Sequence, residues 1–334
     1  MEKNKRKILV LSNRKSEKQL YWQVVFEWED EFENYFNSKI INKHSSELNG
    51  FLDRIKRKID TIIIKIRDKY YNNQKDTFFL QFNMSPFQQT WRSNKKYIVP
   101  CVLDFVIDKE DLPLFYANYA QNPFVLISDL DAVFYLKSVN CPLKIYHFPL
   151  SISDKYILKY EESRKKYDCI VVGRQNNTKM IKWLEEYAKQ NSDFVYVYRQ
   201  DNSDFSYYTN KGEFIGKIKN REQYMNLLSL GKVGLYTTAC AGKGFVTPRF
   251  LEYLVSGCHV ITSFTENKDT DFFQLSSMCE NTLNYEHFKE QMDKFRTQSI
   301  DVMKYQNYLK KHYTSQRAAL LTQIVFNHFN NIEE

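Results

Sequence analysis

Apolar residues fall along this chain in short blocks of two kinds. Blocks with no helical period, KILVLS (7–12), TFFLQFN (77–83), YIVPCVLDFV (97–106), FVLISD (124–129) and LKIYHF (143–148), are too short for core helices and predict buried strands. Other blocks repeat at helical spacing. In FLDRIKRKIDTIIIKIRDKY (51–70), Ile55, Ile59, Ile62, Ile63 and Ile66 share one stripe, and DAVFYLKSVN (131–140) reads as a second helix. Pro149 ends the first series, and the polar, charged stretch after it predicts an interdomain connection near 150–165. The rhythm then restarts. Strands are predicted at 168–173, 193–199, 233–238 and 259–263, and helices at 178–191, 221–231 and 247–257, with Gly257 as a stop signal. The tail, 284–330, is mostly helical in pattern.

Alternating strands and helices predict an α/β protein whose parallel sheets are covered on both faces. The 334 residues exceed one ordinary domain. The expected organisation is two Rossmann-like domains facing a cleft, with a helical C-terminal tail: 1–155, then 156–310, then 311–334 as a helix able to cross back to the first domain. Ligands of such sheets sit beyond the carboxyl ends of the strands. The formal charge of +8 suits a phosphate-rich ligand, an anionic membrane surface or a solvated basic surface. It is too small to indicate nucleic acid by itself. No apolar run approaches the roughly 20 residues of a membrane span, and ILVL after MEKNKRK is too short for a signal-peptide core. The six cysteines form no CxxC pair, as expected of reduced thiols in the cytosol, and the six histidines form no HxxxH pair, which argues against a protein-built metal site.

The segment TACAGKGFVTPRFLEYLVSGCHVITS (238–263) holds the most chemistry. A strand runs into a small loop containing Gly242, Lys243 and Gly244, and a helix opens at Thr247–Pro248. Proline fits a first turn because its missing N–H is no loss there. With Thr247 as cap, the exposed amides and positive helix end predict an anion site, to which Arg249 adds a charge able to bind phosphate at two points. Glu252, about one turn on, could accept hydrogen bonds from the hydroxyls of a sugar attached to that phosphate. An ordinary helix–turn–strand unit with Glu252 facing solvent explains the same spacing.

GKGFVTPRFLEYLVSGCHVI resembles the donor-binding motif of GT-B glycosyltransferases, the group that includes family 4 and the "glycosyltransferase family 1" enzymes of bacterial surface-polysaccharide loci. Glu252 stands at the position of the acid that binds ribose. Family 4 has another acid eight residues earlier, where this chain has Gly244. The resemblance implies a cytoplasmic, metal-independent transferase using a nucleotide-diphosphate sugar, with no further cofactor. It assigns diphosphate neutralisation to Arg174 and Lys179 after the strand CIVVG, and nucleobase contacts to Ile218 and its neighbours in GEFIGKIKN. The implied acceptor is a capsule- or lipopolysaccharide-type glycan or its lipid-linked precursor.

In the first domain, Asp104 near the end of a predicted strand is the candidate base for an acceptor hydroxyl. A loop-capping role fits it as well. Asp129 and Asp131 are rivals, with an N-cap role for one of them. Glu27, Glu29, Asp30 and Glu31 could line an acceptor site but read more simply as a solvated helix face. His147 and His259 read as structural. The 51–70 stripe, flanked by Arg54, Lys56, Arg57, Lys58, Lys65 and Arg67, suits an anionic lipid surface and equally suits packing on a sheet. Two other functions fit: a nucleotide- or glycan-binding protein that keeps the fold without turnover, and a phage-type DNA glucosyltransferase, although nucleic acid is not the expected partner.

Overall fold

The computed structural model describes residues 7–14, 20–42, 62, 77–88, 95–172, 178–200, 205–237 and 246–330. The chain forms two compact units: Met1–Pro149 with Thr314–Glu334, and Leu150–Tyr313. Both are built on a sheet flanked by helices, the α/β architecture expected from the alternating blocks.

The first unit contains a six-stranded parallel sheet in the order β2-β1-β3-β4-β5-β6. Its strands are β1 (Lys7–Ser12), β2 (Ile40–Asn42), β3 (Thr77–Asn83), β4 (Ile98–Val102), β5 (Val125–Ile127) and β6 (Ile145–His147). Their near-continuous apolar runs reflect burial on both faces. Helices α1 (Leu20–Phe36), α2 (Leu112–Tyr119) and α3 (Leu130–Ser138) flank the sheet, with the C-terminal helix Thr314–Asn330. Phe105, Phe115, Tyr119, Val133 and Leu136 pack with Val102, Val125 and Ile127 of the sheet. Trp28 and Phe32 of α1 meet Phe82 of β3 at ring distances of 6.0 and 5.9 Å. β4 is shorter than the predicted strand 97–106, because its pairing with both β3 and β5 ends at Val102. Beyond it, the Leu103 amide turns to the Asn83 carbonyl at 2.8 Å. Of the predicted 51–70 helix only Ile62 is among the described residues; it is helical and 56% exposed.

The second unit contains seven strands in the order β10-β9-β8-β7-β11-β12-β13. They are β7 (Tyr167–Val171), β8 (Tyr196–Arg199), β9 (Ser206–Thr209), β10 (Phe214–Lys217), β11 (Gly231–Tyr236), β12 (His259–Thr262) and β13 (Glu280–Asn281). The sheet is parallel from β8 to β13, but β9 runs antiparallel to both β8 and β10. This departs from the expected all-parallel plan. Only six residues separate the β8 and β9 ranges, too few for the crossover that parallel neighbours require. The helices are α4 (Thr178–Gln190), α5 (Arg221–Ser229), α6 (Pro248–Val255), α7 (Lys268–Phe272), α8 (Leu275–Met278), α9 (Tyr285–Thr297) and α10 (Val302–Leu309).

Side chains alternate across β11 and assign the helices to faces. Val233 and Leu235 face a core with Met180, Trp183, Leu184 and Tyr187 of α4 and Phe288, Met292 and Phe295 of α9. Gly234 points the other way, against the ring of Tyr253 on α6. The Tyr253 hydroxyl accepts the Val172 amide at 3.2 Å and lies 3.2 and 3.3 Å from the carbonyl oxygens of Ile170 and Leu235. It thus joins the carboxyl ends of β7 and β11 to α6.

A Cβ at Gly234 would fall 2.3–2.6 Å from three carbons of that buried ring. Gly234→Ala is therefore expected to displace Tyr253 and cost at least about 2 kcal/mol of stability, measured by urea unfolding of the variant against the parent.

Candidate functional site

Among the described residues of the second unit, a buried polar cluster lies where α6, the helix that follows β11, meets the first turn of α5. Pro248 and the extended backbone of Thr247 open that helix as expected from the sequence. The Thr247 side chain makes no capping bond. Its Oγ1 is 3.2 Å from the Tyr236 hydroxyl, and its amide donates to the same hydroxyl at 2.8 Å. The preceding amide, of Val246, donates to the buried Asp269 carboxylate at 2.6 Å. Of the amides at 247–249 expected to form an anion site, Pro248 has none and that of Thr247 is engaged by Tyr236.

Arg249 and Glu252 are three residues apart on α6 and so share one helix face. Glu252 does not face solvent: it is 4% exposed. Arg221 donates from Nη1 to Oε1 at 2.7 Å, and the Tyr224 hydroxyl donates to Oε2 at 3.0 Å. Both donors come from α5, again three residues apart. The Arg221 guanidinium lies 5.2 Å from the centre of the Tyr224 ring and 5.9 Å from that of Tyr156. Burial raises the Tyr224 phenol well above its ordinary range, and the Glu252 charge adds to the effect. Tyr224 is therefore a hydrogen-bond donor at any physiological pH.

Tyr207, on β9, completes the cluster. Burial pushes its hydroxyl up to about 12; the charges of Arg199 and Arg249 oppose this and that of Glu252 reinforces it. Arg199 is paired with Tyr207 across β8 and β9 and lies with its guanidinium 4.1 Å from the centre of the Phe205 ring. Two guanidinium groups, of Arg221 and Arg249, thus lie within electrostatic reach of one buried carboxylate, and Arg199 and Arg249 both act on Tyr207 beside it. Arg199, Arg221 and Tyr224 were not among the residues singled out in the sequence. Arg199 had a readable signal, since it shares the inward face of YVYR with Val197.

The other expected site residues are less closely grouped. Lys179 is exposed in the first turn of α4, on the opposite face of the sheet from α6. Its Nζ donates to the Leu283 carbonyl at 3.1 Å and stands 4.7 Å from the centre of the Trp183 ring. The first turns of α4 and α6 share the carboxyl edge. Ile218 follows β10 and is half-buried, and its amide donates to the Phe205 carbonyl at 2.9 Å. Arg174 and Gly244 lie outside the described residues, as do the glycine-bearing loop 241–244 and nearly all of 51–70. His259 stacks on Phe295 at 4.1 Å and makes a 2.8 Å hydrogen bond to the Gln298 carbonyl through Nε2. Among the described residues, no helix is long and apolar enough to cross a membrane.

In the first unit, Asp104 is exposed just past β4, and Asp129 is buried as the N-cap of α3, accepting the Ala132 amide at 3.2 Å. The two carboxyls are within electrostatic reach. Burial pushes Asp129 up to about 6, and the charges of Asp131 and Asp104 add to that. His147 makes a 3.2 Å contact from Nε2 to the Ser128 carbonyl, and burial lowers it to about 4. The acidic run in α1 is not a solvated face: Glu27 and Glu29 are buried, and Asp30 is exposed. Ser12 donates to Glu29 Oε2 at 2.5 Å, and Arg14 bridges Glu29 and Asp30 at 3.0 and 2.6 Å. Burial still pushes Glu29 up to about 7.

No family model and no curated protein matches the chain. Solved structures match its fold. The trehalose-6-phosphate synthase OtsA is 10% identical, with a TM-score of 0.59 over 95% of this chain and 98% of that one. WaaG, a glycosyltransferase involved in lipopolysaccharide biosynthesis, is 10% identical, with a TM-score of 0.54 over 95% and 99%. A putative UDP-N-acetylglucosamine 2-epimerase from Listeria monocytogenes is 8% identical, with a TM-score of 0.53 over 98% and 97%. The fold is that of the GT-B glycosyltransferases. Because it also occurs in a protein described as an epimerase, the reaction has to be argued from the site.

The raised Asp129 gives a pH-dependent prediction. The folded state holds this proton more tightly than the unfolded chain, so the group costs nothing below about pH 4. The cost grows as pH rises through 6, to about 3 kcal/mol. Asparagine is an equally good N-cap. Asp129→Asn is therefore expected to match the parent at pH 4 and exceed its stability by up to that amount at pH 7, as measured by denaturant unfolding at the two pH values.

Proposed function

We propose that the second unit binds a nucleotide-diphosphate sugar and that the protein transfers the sugar to a hydroxyl acceptor. The observation that carries this reading is the pairing of Arg249 and Glu252 on one face of a proline-initiated helix at the carboxyl edge of a parallel sheet. A guanidinium at the start of the helix suits a diphosphate, and a carboxylate one turn on suits the adjoining ribose hydroxyls. Arg199 adds a further cation at the same edge, and Lys179 and Arg174 complete the proposed diphosphate site. Neutralising the departing diphosphate is where such a site gains most of its rate, because negative charge develops there as the glycosidic bond breaks. Ile218, beyond β10, is the proposed neighbour of the nucleobase, which would meet its carbonyl, the amide being engaged by Phe205.

The first unit is assigned the acceptor. Asp104, exposed at the carboxyl edge, is the proposed base that takes the proton of the acceptor hydroxyl. Asp129 beside it, kept largely protonated in mildly acidic solution, limits the negative charge at that edge. The proposed acceptor is a surface glycan or its lipid-linked precursor, reached from the cytoplasm, with no metal required for diphosphate departure. The glycosyltransferases sharing the fold favour transfer; WaaG is described as acting in lipopolysaccharide biosynthesis.

Glu252→Gln keeps the size of the side chain but removes its charge and turns one of its two accepting oxygens into an NH2 group. It is expected to weaken nucleoside diphosphate binding about tenfold or more while the protein stays folded, since hydrogen bonds to a charged acceptor contribute roughly 1.5–3 kcal/mol. Calorimetry with UDP, GDP and ADP measures this. Unchanged affinity in a folded variant would remove Glu252 from the donor site. Incubation of the parent with nucleotide sugars and glycan acceptors should give sugar on the acceptor and one nucleoside diphosphate per transfer.

A further inference from the structure

We infer that Arg221 and Tyr224 are positioning residues for Glu252, fixing the direction in which its carboxylate meets the ribose of a bound nucleoside diphosphate. This rests on the donor reading above and adds to it two residues on a different helix. A buried carboxylate needs partners to stay charged, and here each oxygen receives one donor from α5: Arg221 Nη1 on Oε1 at 2.7 Å and the Tyr224 hydroxyl on Oε2 at 3.0 Å. The side chains of the ion pair are 9% and 5% exposed. With one donor on each oxygen, the plane of the carboxylate is set from both sides.

The donors are themselves held in place. Asn220 caps α5 by accepting the Gln223 amide at 2.9 Å, and Gln223 Oε1 accepts the Lys219 amide at 2.8 Å. Those bonds fix the turn from which Arg221 and Tyr224 project. The guanidinium is further confined by the rings of Tyr156 and Tyr224. An ionised carboxylate has roughly four acceptor sites. The two α5 donors take one on each oxygen, so one further acceptor site on each oxygen is left for the two hydroxyls of a vicinal diol. Arg221 thus serves the ligand without touching it, by keeping Glu252 charged and turned.

A purely structural ion pair would stabilise the unit without distinguishing one ligand from another, whereas a positioning pair affects only ligands that contain the ribose. The test is calorimetric titration of the full chain with UDP, GDP and ADP, and separately with inorganic pyrophosphate. The variants are Arg221→Met, Arg221→Lys, Tyr224→Phe, Glu252→Gln and the double variant Arg221→Met/Glu252→Gln. Arg221→Met is expected to weaken the nucleoside diphosphate that the parent binds at least tenfold, with Arg221→Lys recovering part of the loss. Tyr224→Phe should weaken it about threefold, and all three variants should change pyrophosphate affinity less than twofold. The double variant, in which the Arg221–Glu252 ion pair is removed as a whole, should bind no worse than Glu252→Gln alone.

If Glu252→Gln weakens the nucleoside diphosphate but Arg221→Met and Tyr224→Phe do not, the positioning role is wrong and the donor site stands. Equal losses for nucleoside diphosphate and pyrophosphate would also overturn the role. If the parent binds none of the three nucleoside diphosphates, or Glu252→Gln binds as the parent does, the donor reading itself fails and this inference with it. Should Arg221→Met not fold, the single hydroxyl removed in Tyr224→Phe decides the matter.

Discussion

A carboxylate held at 4% exposure inside the second unit constrains everything around it. Such a charge is tolerated only with a matched partner, and stripping the partner from a buried ion pair typically costs 3–5 kcal/mol. Glu252 meets that demand with Arg221, 31 residues earlier, so the first turn of α5 and the body of α6 are joined by the charge as well as by apolar packing. Tyr253, the next residue on α6, ties the helix to the ends of β7 and β11 through its hydroxyl. Neighbouring side chains on one short helix thus couple a charge pair to the sheet edge where ligands of this architecture bind.

The strands were legible because burial on both faces leaves uninterrupted apolar runs, and β1, β3, β7 and β12 fall within a residue or two of the predicted stretches. In helix α1 the acidic run 27–31 suggests a solvated helix face, but the buried stripe is present too: Trp22, Val25, Trp28 and Phe32 are buried at spacings of three and four. The density of acidic residues between them drew the reading toward a solvated surface. A strand in GEFIGKIKN was implied by the resemblance, but β9 and the antiparallel direction of this edge were not legible, for another reason. Its strands are four residues each, half-exposed and interrupted at Gly216, where the register shifts, so neither alternation nor an apolar run is long enough to register.

The site divides along the same lines. Arg249 and Glu252 were visible because their spacing on one helix can be counted along the sequence. Arg221 and Tyr224 depend on how α5 docks against α6, which no local spacing encodes; an arginine at the first position of a polar helix reads as solvated. The acidic residues of the first unit show how context separates one residue type. Asp104 is exposed and Asp129 is buried and capping, while Glu29 is buried among donors. Burial pushes Asp129 up to about 6 and Glu29 up to about 7 even though each has partners.

The entrance to α6 shows which physical device the proposed phosphate site would use. A helix N-terminus attracts anions through amides that lack intrahelical partners. Here the Val246 amide is held by Asp269 and that of Thr247 by Tyr236, and Pro248 has none. The segment is thereby fixed before any ligand arrives, at the cost of the donors an anion would otherwise meet. Asp269 also places a negative charge close to the helix start, which works against anion binding there. In the proposed site, recognition of a diphosphate would therefore fall chiefly to side chains, the guanidinium groups of Arg249 and Arg199 first among them, rather than to the helix end. Guanidinium groups bind phosphate oxygens in pairs and in plane. A site built that way responds to the orientation of the two phosphates, and its selectivity follows from how rigidly the arginines are held.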